Sequence, residues 1–235
     1  MVLLIHFKSS VMNYFYRLWI CFLLSSLLSC KHENPPQSYL ALGDSYTIGE
    51  SVSKNDRWPV QLVISLAKEN IFLSPPEIIA KTGWTADELQ EGINQAPLNY
   101  PYDWVSLLIG VNNQYRGKSI EVFKDEFSTL LSQAIVFSGN RKKHVFVVSI
   151  PDWGVMPFAK NRDRQKIAAE IDNFNQAIYE ICATEDIRFI DITPLSRTVS
   201  ENPDWIAKDG LHPSGKQYSK WVAEILPFFS NASND

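Results

Sequence analysis

Short apolar runs alternate along the chain with longer stretches in which apolar residues recur every three or four positions. Residues 39–43, 77–80, 104–109, 145–150 and 188–192 form the short runs. They are predicted to be buried strands, each stopped by glycine, proline or a polar cluster. Residues 57–71 read as a helix with Asp56 as its N-cap and Pro59 tolerated in the first turn. Thr85 and Glu88 have capping-box spacing before a second helix. Ile120, Phe123, Phe127, Leu130, Leu131 and Ala134 share one helical face, and so do Ile167, Ile171, Phe174, Ile178 and Ile181. Ser214 and Gln217 repeat the capping-box spacing ahead of a last helix carrying Tyr218, Val222 and Ile225. Five strands alternating with helices predict parallel βαβ units in a three-layer α/β/α sandwich. Periodicity leaves the strand order open. It does place any ligand site beyond the carboxyl ends of the strands, in the segments that follow them.

The first 29 residues break this rhythm. They contain Lys8 and Arg17, no acidic residue, and the apolar stretch 18–28, too short for a membrane span of about 20 residues. The stretch ends at Leu27, Leu28, Ser29 and Cys30 and turns polar at Lys31. This resembles a bacterial lipobox, although Leu28 stands where a small residue is more usual. The resemblance implies cleavage before Cys30 and diacylation of its sulfur. Residues 1–29 are then a signal peptide, 30–38 a tether, 39–230 the domain and 231–235 a tail. Met12 is an alternative start. The location implied is the cell envelope, with the domain lipid-anchored and facing the periplasm or the outside.

Composition narrows the choice of partner. The chain has 235 residues, 45% of them hydrophobic and 20% charged, which suits one globular domain rather than a disordered or fibrous chain. A formal charge of −4 with no long basic tract argues against nucleic acid. The Arg141-Lys142-Lys143 run reads as a solvated loop. Three cysteines give neither a disulfide framework nor zinc spacing, and Cys182 reads as a small core residue on a helix. No metal motif is present, and no cofactor is expected.

The candidate chemistry lies behind the strands. Gly43-Asp44-Ser45-Tyr46 follows the first, Thr82-Gly83-Trp84 the second, and Gly110-Val111-Asn112-Asn113 the third. Asp209-Gly210-Leu211-His212-Pro213 follows the fifth. A serine nucleophile requires a base, a group to orient the base, and donors for the oxyanion. These loops supply a serine, a histidine, an aspartate three residues before that histidine, a glycine N–H and a side-chain amide. His6 and His32 fall in the leader and tether, and His144 in the basic run, which leaves His212 as the candidate base.

Together these blocks resemble the SGNH hydrolases, also called the GDSL esterase/lipase family, over about residues 39–229. Tyr46 replaces the leucine of the family name. The resemblance implies a flavodoxin-like strand order 2-1-3-4-5 and a triad of Ser45, Asp209 and His212. It also implies an oxyanion hole of Ser45 N–H, Gly83 N–H and the Asn112 side chain. One departure is Asn113, where the family usually has aspartate. Asn113 is expected to brace its loop, and Asn113→Asp to be tolerated. Trp84, Trp153 and Phe158 follow strands and can line an acyl or alcohol pocket or simply cap the core. The expected activity is hydrolysis of carboxylic esters, of lipids or acetylated carbohydrate, through an acyl-serine in a monomer. Two alternatives are acyl transfer to a glycan or peptidoglycan hydroxyl, and a surface lipoprotein that binds glycan or lipid without catalysis.

Overall fold

The computed structural model describes residues 35–232. The expected signal peptide and Cys30 lie outside the described residues, as does the end of the C-terminal tail. The chain runs β1 (Tyr39–Gly43), α1 (Ser45–Ile48), α2 (Trp58–Lys68), β2 (Glu77–Ala80), α3 (Ala86–Gln95), β3 (Trp104–Leu108) and α4 (Val111–Tyr115). It continues through α5 (Ile120–Phe137), β4 (Val145–Val148), α6 (Arg164–Thr184), β5 (Arg188–Ile190), α7 (Thr193–Arg197) and α8 (Gly215–Ala232). All strand pairings are parallel, and the sheet order is β2-β1-β3-β4-β5. This is the three-layer α/β/α sandwich and the strand order expected. α2 packs with α8 on one face of the sheet, and α5 packs with α3 and α6 on the other.

The apolar runs are strands because both faces of the sheet are covered. Every residue of β1, β3 and β4 is buried, which removes the alternation of a half-exposed sheet. The strands stop one or two residues earlier than the runs, at Leu108, Val148 and Ile190. Ile109 and Ile150 remain fully buried, so apolarity outlasts the ladder there. Phe123, Phe127 and Phe146 fill the interior with Trp58, Tyr218, Trp221 and Phe229. Cys182 is enclosed in this core, and burial pushes its thiol up to about 12, so the group packs and does not react.

Local capping follows the sequence in part. The box at α3 forms, with the Glu88 carboxylate accepting Thr85 N–H at 3.0 Å. At α2 the cap is Arg57 rather than Asp56, whose carbonyl instead accepts from the Gln61 side chain at 2.7 Å. At α8 the box is incomplete. The Ser214 hydroxyl accepts Gln217 N–H at 3.5 Å, while the Gln217 side-chain amide has no partner among the described residues. Gln37 and Ser38, expected in the tether, belong to the domain. Gln37 accepts from Trp104 Nε1 at 2.6 Å, and Ser38 donates to Asp103 through both N–H and hydroxyl. The chain thus enters β1 at the sheet edge opposite Ser45. The basic run is tied down by Arg141 to Asp103 and by Lys142 to Glu185. Among the described residues no helix is long and apolar enough to cross a membrane.

Candidate active site

The four loops meet at the carboxyl edge of the sheet. The first is a tight strand-to-helix turn. Asp44 caps α1 by accepting Tyr46 N–H at 3.0 Å, and Ser45 opens that helix. Gly43 is needed because a Cβ there would lie 2.4 Å from the Leu108 carbonyl oxygen and 2.2 Å from Thr47 Oγ1. Its absence lets the turn settle against β3, where Gly43 pairs with Leu108. Ser45 is 4% exposed, at the floor of the site.

The residues on either side of Ser45 mark what surrounds it. Ahead of it, Asp44 Oδ2 lies 3.5 Å from Asn112 Nδ2, which also donates to the Trp84 carbonyl at 2.9 Å. Behind it, the Tyr46 ring sits 5.4 Å from that of His212. The residues flanking Ser45 thus touch the Asn112 and His212 loops, and Asn112 in turn touches Trp84, next to Gly83. Ser45 Oγ has no hydrogen-bond partner among the described residues, His212 included. Such bonds are commonly loose without substrate and tighten in the reacting complex.

His212 is fixed from behind. Its Nδ1 is 2.6 Å from Asp209 Oδ2, and its N–H donates to Asp209 Oδ1 at 3.0 Å. Leu211 N–H and the Ser51 hydroxyl add bonds to the same carboxylate at 2.9 and 2.7 Å. Burial alone would raise the Asp209 pKa. The His212 bonds, then Leu211 N–H and Ser51, outweigh it and hold the carboxyl well below its ordinary range. A carboxylate bonded to Nδ1 leaves Nε2 as the ring nitrogen free to take a proton.

Asp44 shows the opposite balance. It is fully buried, and burial pushes its pKa up to about 7 against the smaller, lowering effect of Tyr46 N–H.

Asn112 and Asn113 separate cleanly. Asn113 is fully buried, accepts Ala86 N–H at 2.9 Å and donates to Glu126 at 3.0 Å. It braces α3 against α4 and α5, as expected. The expected tolerance of Asn113→Asp does not fit this geometry, since an aspartate there would set a second carboxylate against Glu126. Trp153 is buried, donates to Gln114 at 2.8 Å and packs between Tyr115 and Phe158. Trp84 lies against Gly92 of α3. Only Phe158 of the three candidate aromatics is largely exposed, and its N–H donates to the Gly210 carbonyl at 3.0 Å, beside His212. Among the described residues no group of His, Cys, Asp and Glu could hold a metal ion.

Sequence reading missed four braces: Ser51 on Asp209, Glu126 on Asn113, Arg116 on Gly83, and Arg197 on the buried Asp152 at 2.9 Å. The first three join segments with no shared periodicity. Arg197 and Asp152 each follow a strand, which was the one available signal.

The sequence profile of the GDSL-like lipase/acylhydrolase family matches residues 41–220. Solved structures similar to this chain include TesA, at 16% identity and TM-score 0.64, with 83% of this chain and 99% of that one covered. A lipase/acylhydrolase from Enterococcus faecalis aligns at 20% identity and TM-score 0.64, covering 84% of this chain and 96% of that one. The acetylxylan esterase Axe2 from Geobacillus stearothermophilus aligns at 17% identity and TM-score 0.59, covering 82% and 93%. No curated protein sequence matches the chain.

Two predictions come from these carboxylates. With its folded pKa above the unfolded value of 3.8, Asp44 binds its proton more tightly when folded. Its contribution is therefore complete below about pH 4 and is lost as pH rises toward 7. Asp44→Asn should flatten this fall in denaturant titrations between those values, and an unchanged slope would refute it. Asp209, shifted the other way, contributes fully above its unfolded value of 3.8 and loses that contribution as pH falls below it. Second, Asn113→Asp should lower stability by roughly 1–3 kcal/mol, and adding Glu126→Gln should recover much of it. Strict additivity of the two changes in thermal melts would exclude the proposed pairing.

Proposed function

Because the chain belongs to the GDSL-like lipase/acylhydrolase family, and is an SGNH hydrolase acting on esters, we propose that it works through an acyl-enzyme on Ser45. The observation that carries this reading is the His212–Asp209 pair beside the Ser45 turn, at 2.6 Å. Ser45 Oγ attacks the ester carbonyl carbon while His212 Nε2 takes the hydroxyl proton. The oxyanion is held by the N–H groups of Ser45 and Gly83 and by Asn112 Nδ2, which turns to it from the Trp84 carbonyl. Collapse expels the alcohol, which receives the proton from His212. Water then repeats the sequence on the acyl-serine, restoring the free hydroxyl and releasing the acid. Asp209 keeps the imidazole in its tautomer and stabilises its cationic form.

The substrates we propose are acyl esters of lipids or acetylated carbohydrate. Supporting them are the named activities of the similar structures, an acetylxylan esterase and a lipase/acylhydrolase. We further propose a location in the bacterial envelope, anchored through lipid on Cys30. β1 begins at the end of the sheet opposite Ser45, so the described chain enters the domain away from the catalytic loops.

Ser45→Ala should abolish ester hydrolysis and labelling by a fluorescent alkylphosphonate, with the thermal midpoint little changed. Asn112→Ala should lower kcat by about two to three orders of magnitude at nearly constant KM. Persistent labelling of Ser45→Ala would disprove the nucleophile assignment. Cys30→Ser should release an active protein into the soluble fraction; continued membrane association would rule out the lipid anchor.

A further inference from the structure

The second proposed oxyanion donor, Gly83 N–H, sits in a tight turn closed by one hydrogen bond. Trp84 N–H donates to the Lys81 carbonyl at 3.2 Å, and Gly83 has φ +86°, the geometry of a type II turn with glycine in third place. The Gly83 N–H has no acceptor among the described residues. Its direction relative to the Gly83 carbonyl follows the two torsions at Gly83, where a glycine meets few steric limits, so a contact that fixes the carbonyl also constrains the N–H.

Arg116 does this. It caps the C-terminus of α4, the short helix that begins with the Asn112 loop. Its Nη2 donates to the Gly83 carbonyl at 2.6 Å, and its Nη1 and Nη2 meet Glu88 Oε1 and Oε2 at 3.0 and 3.1 Å. Glu88 in turn accepts Thr85 N–H. One planar guanidinium therefore ties the Gly83 carbonyl to the start of α3, a fork that a single ammonium cannot reproduce. A Cβ built on Gly83 would meet Arg116 Nη2, at 3.8 Å, as its one non-adjacent neighbour within 4 Å. The pair is partly exposed, at 43% and 37% of the two side chains, so it adds little to folding stability.

We propose that Arg116 is a positioning residue of the oxyanion site, clamping the Gly83 carbonyl so that the Gly83 N–H is aimed at the developing negative charge. This rests on the hydrolase reading above, with Ser45 as nucleophile and Gly83 as donor. Misaiming one donor weakens binding of the tetrahedral state while the ground-state ester is held as before.

The test uses the full-length protein in detergent, with p-nitrophenyl acetate as substrate. Arg116→Ala should lower kcat by about ten- to a hundredfold, with KM changed less than about twofold and the thermal midpoint nearly unchanged. Arg116→Lys should fall between it and the wild type. Free guanidinium at non-denaturing concentration should restore part of the lost kcat to Arg116→Ala and do nothing for the wild type. Full kcat in Arg116→Ala, alongside an inactive Ser45→Ala, overturns the clamp and leaves the hydrolase reading standing. A loss of kcat that follows a lowered thermal midpoint and resists guanidinium also overturns it, as the signature of a merely structural role. A wild type that neither hydrolyses the ester nor takes a phosphonate label removes the hydrolase reading itself, and the clamp with it.

Discussion

The geometry of the Ser45 turn depends on a carboxyl group with no access to water. Asp44, next to Ser45 in the chain, accepts Tyr46 N–H and faces the amide of Asn112. Those two contacts do not compensate for lost hydration, which is why its proton affinity rises into the neutral range. No smaller arrangement would do the same work. The N–H of Tyr46 needs an acceptor for α1 to start, and Ser45 stands at the first residue of that helix. The cost is offset by the sheet below, where β1 and β3 are buried on both faces and pin the turn through Gly43.

Much of this was legible in the amino-acid sequence, for definite reasons. Strands buried on both faces appear as unbroken apolar runs, and helices covering them as 3.6-residue stripes, so order and class could be read directly. The site residues could be read because parallel strands deliver their following loops to one edge. Strand order came only from resemblance, since no pattern along β1 records that β2 and β3 flank it. Burial of Asp44 was equally hidden, because a single aspartate in a turn looks the same whether water reaches it or not. The α2 and α8 caps went astray where other groups competed: the Asp56 carboxylate accepts from the Ser53 hydroxyl, and the Ser214 N–H is taken by the Trp205 carbonyl at 2.7 Å.

The site residues themselves make few bonds with one another, and the braces do most of the positioning. Asn113 with Glu126 and Arg116 with Gly83 and Glu88 all start from one short helix and its cap, and they reach into α3, α5 and the second loop. Ser51, held at φ 64°, reaches Asp209 across 158 residues of sequence. Such contacts fix local geometry through what each side chain faces, and Asn113 is one case. With Glu126 opposite, an amide satisfies both the Ala86 N–H and the carboxylate, whereas an aspartate satisfies only the first. The residue at that position is set by what faces it, and it leaves the amide of its neighbour Asn112 to face Asp44 and the Trp84 carbonyl.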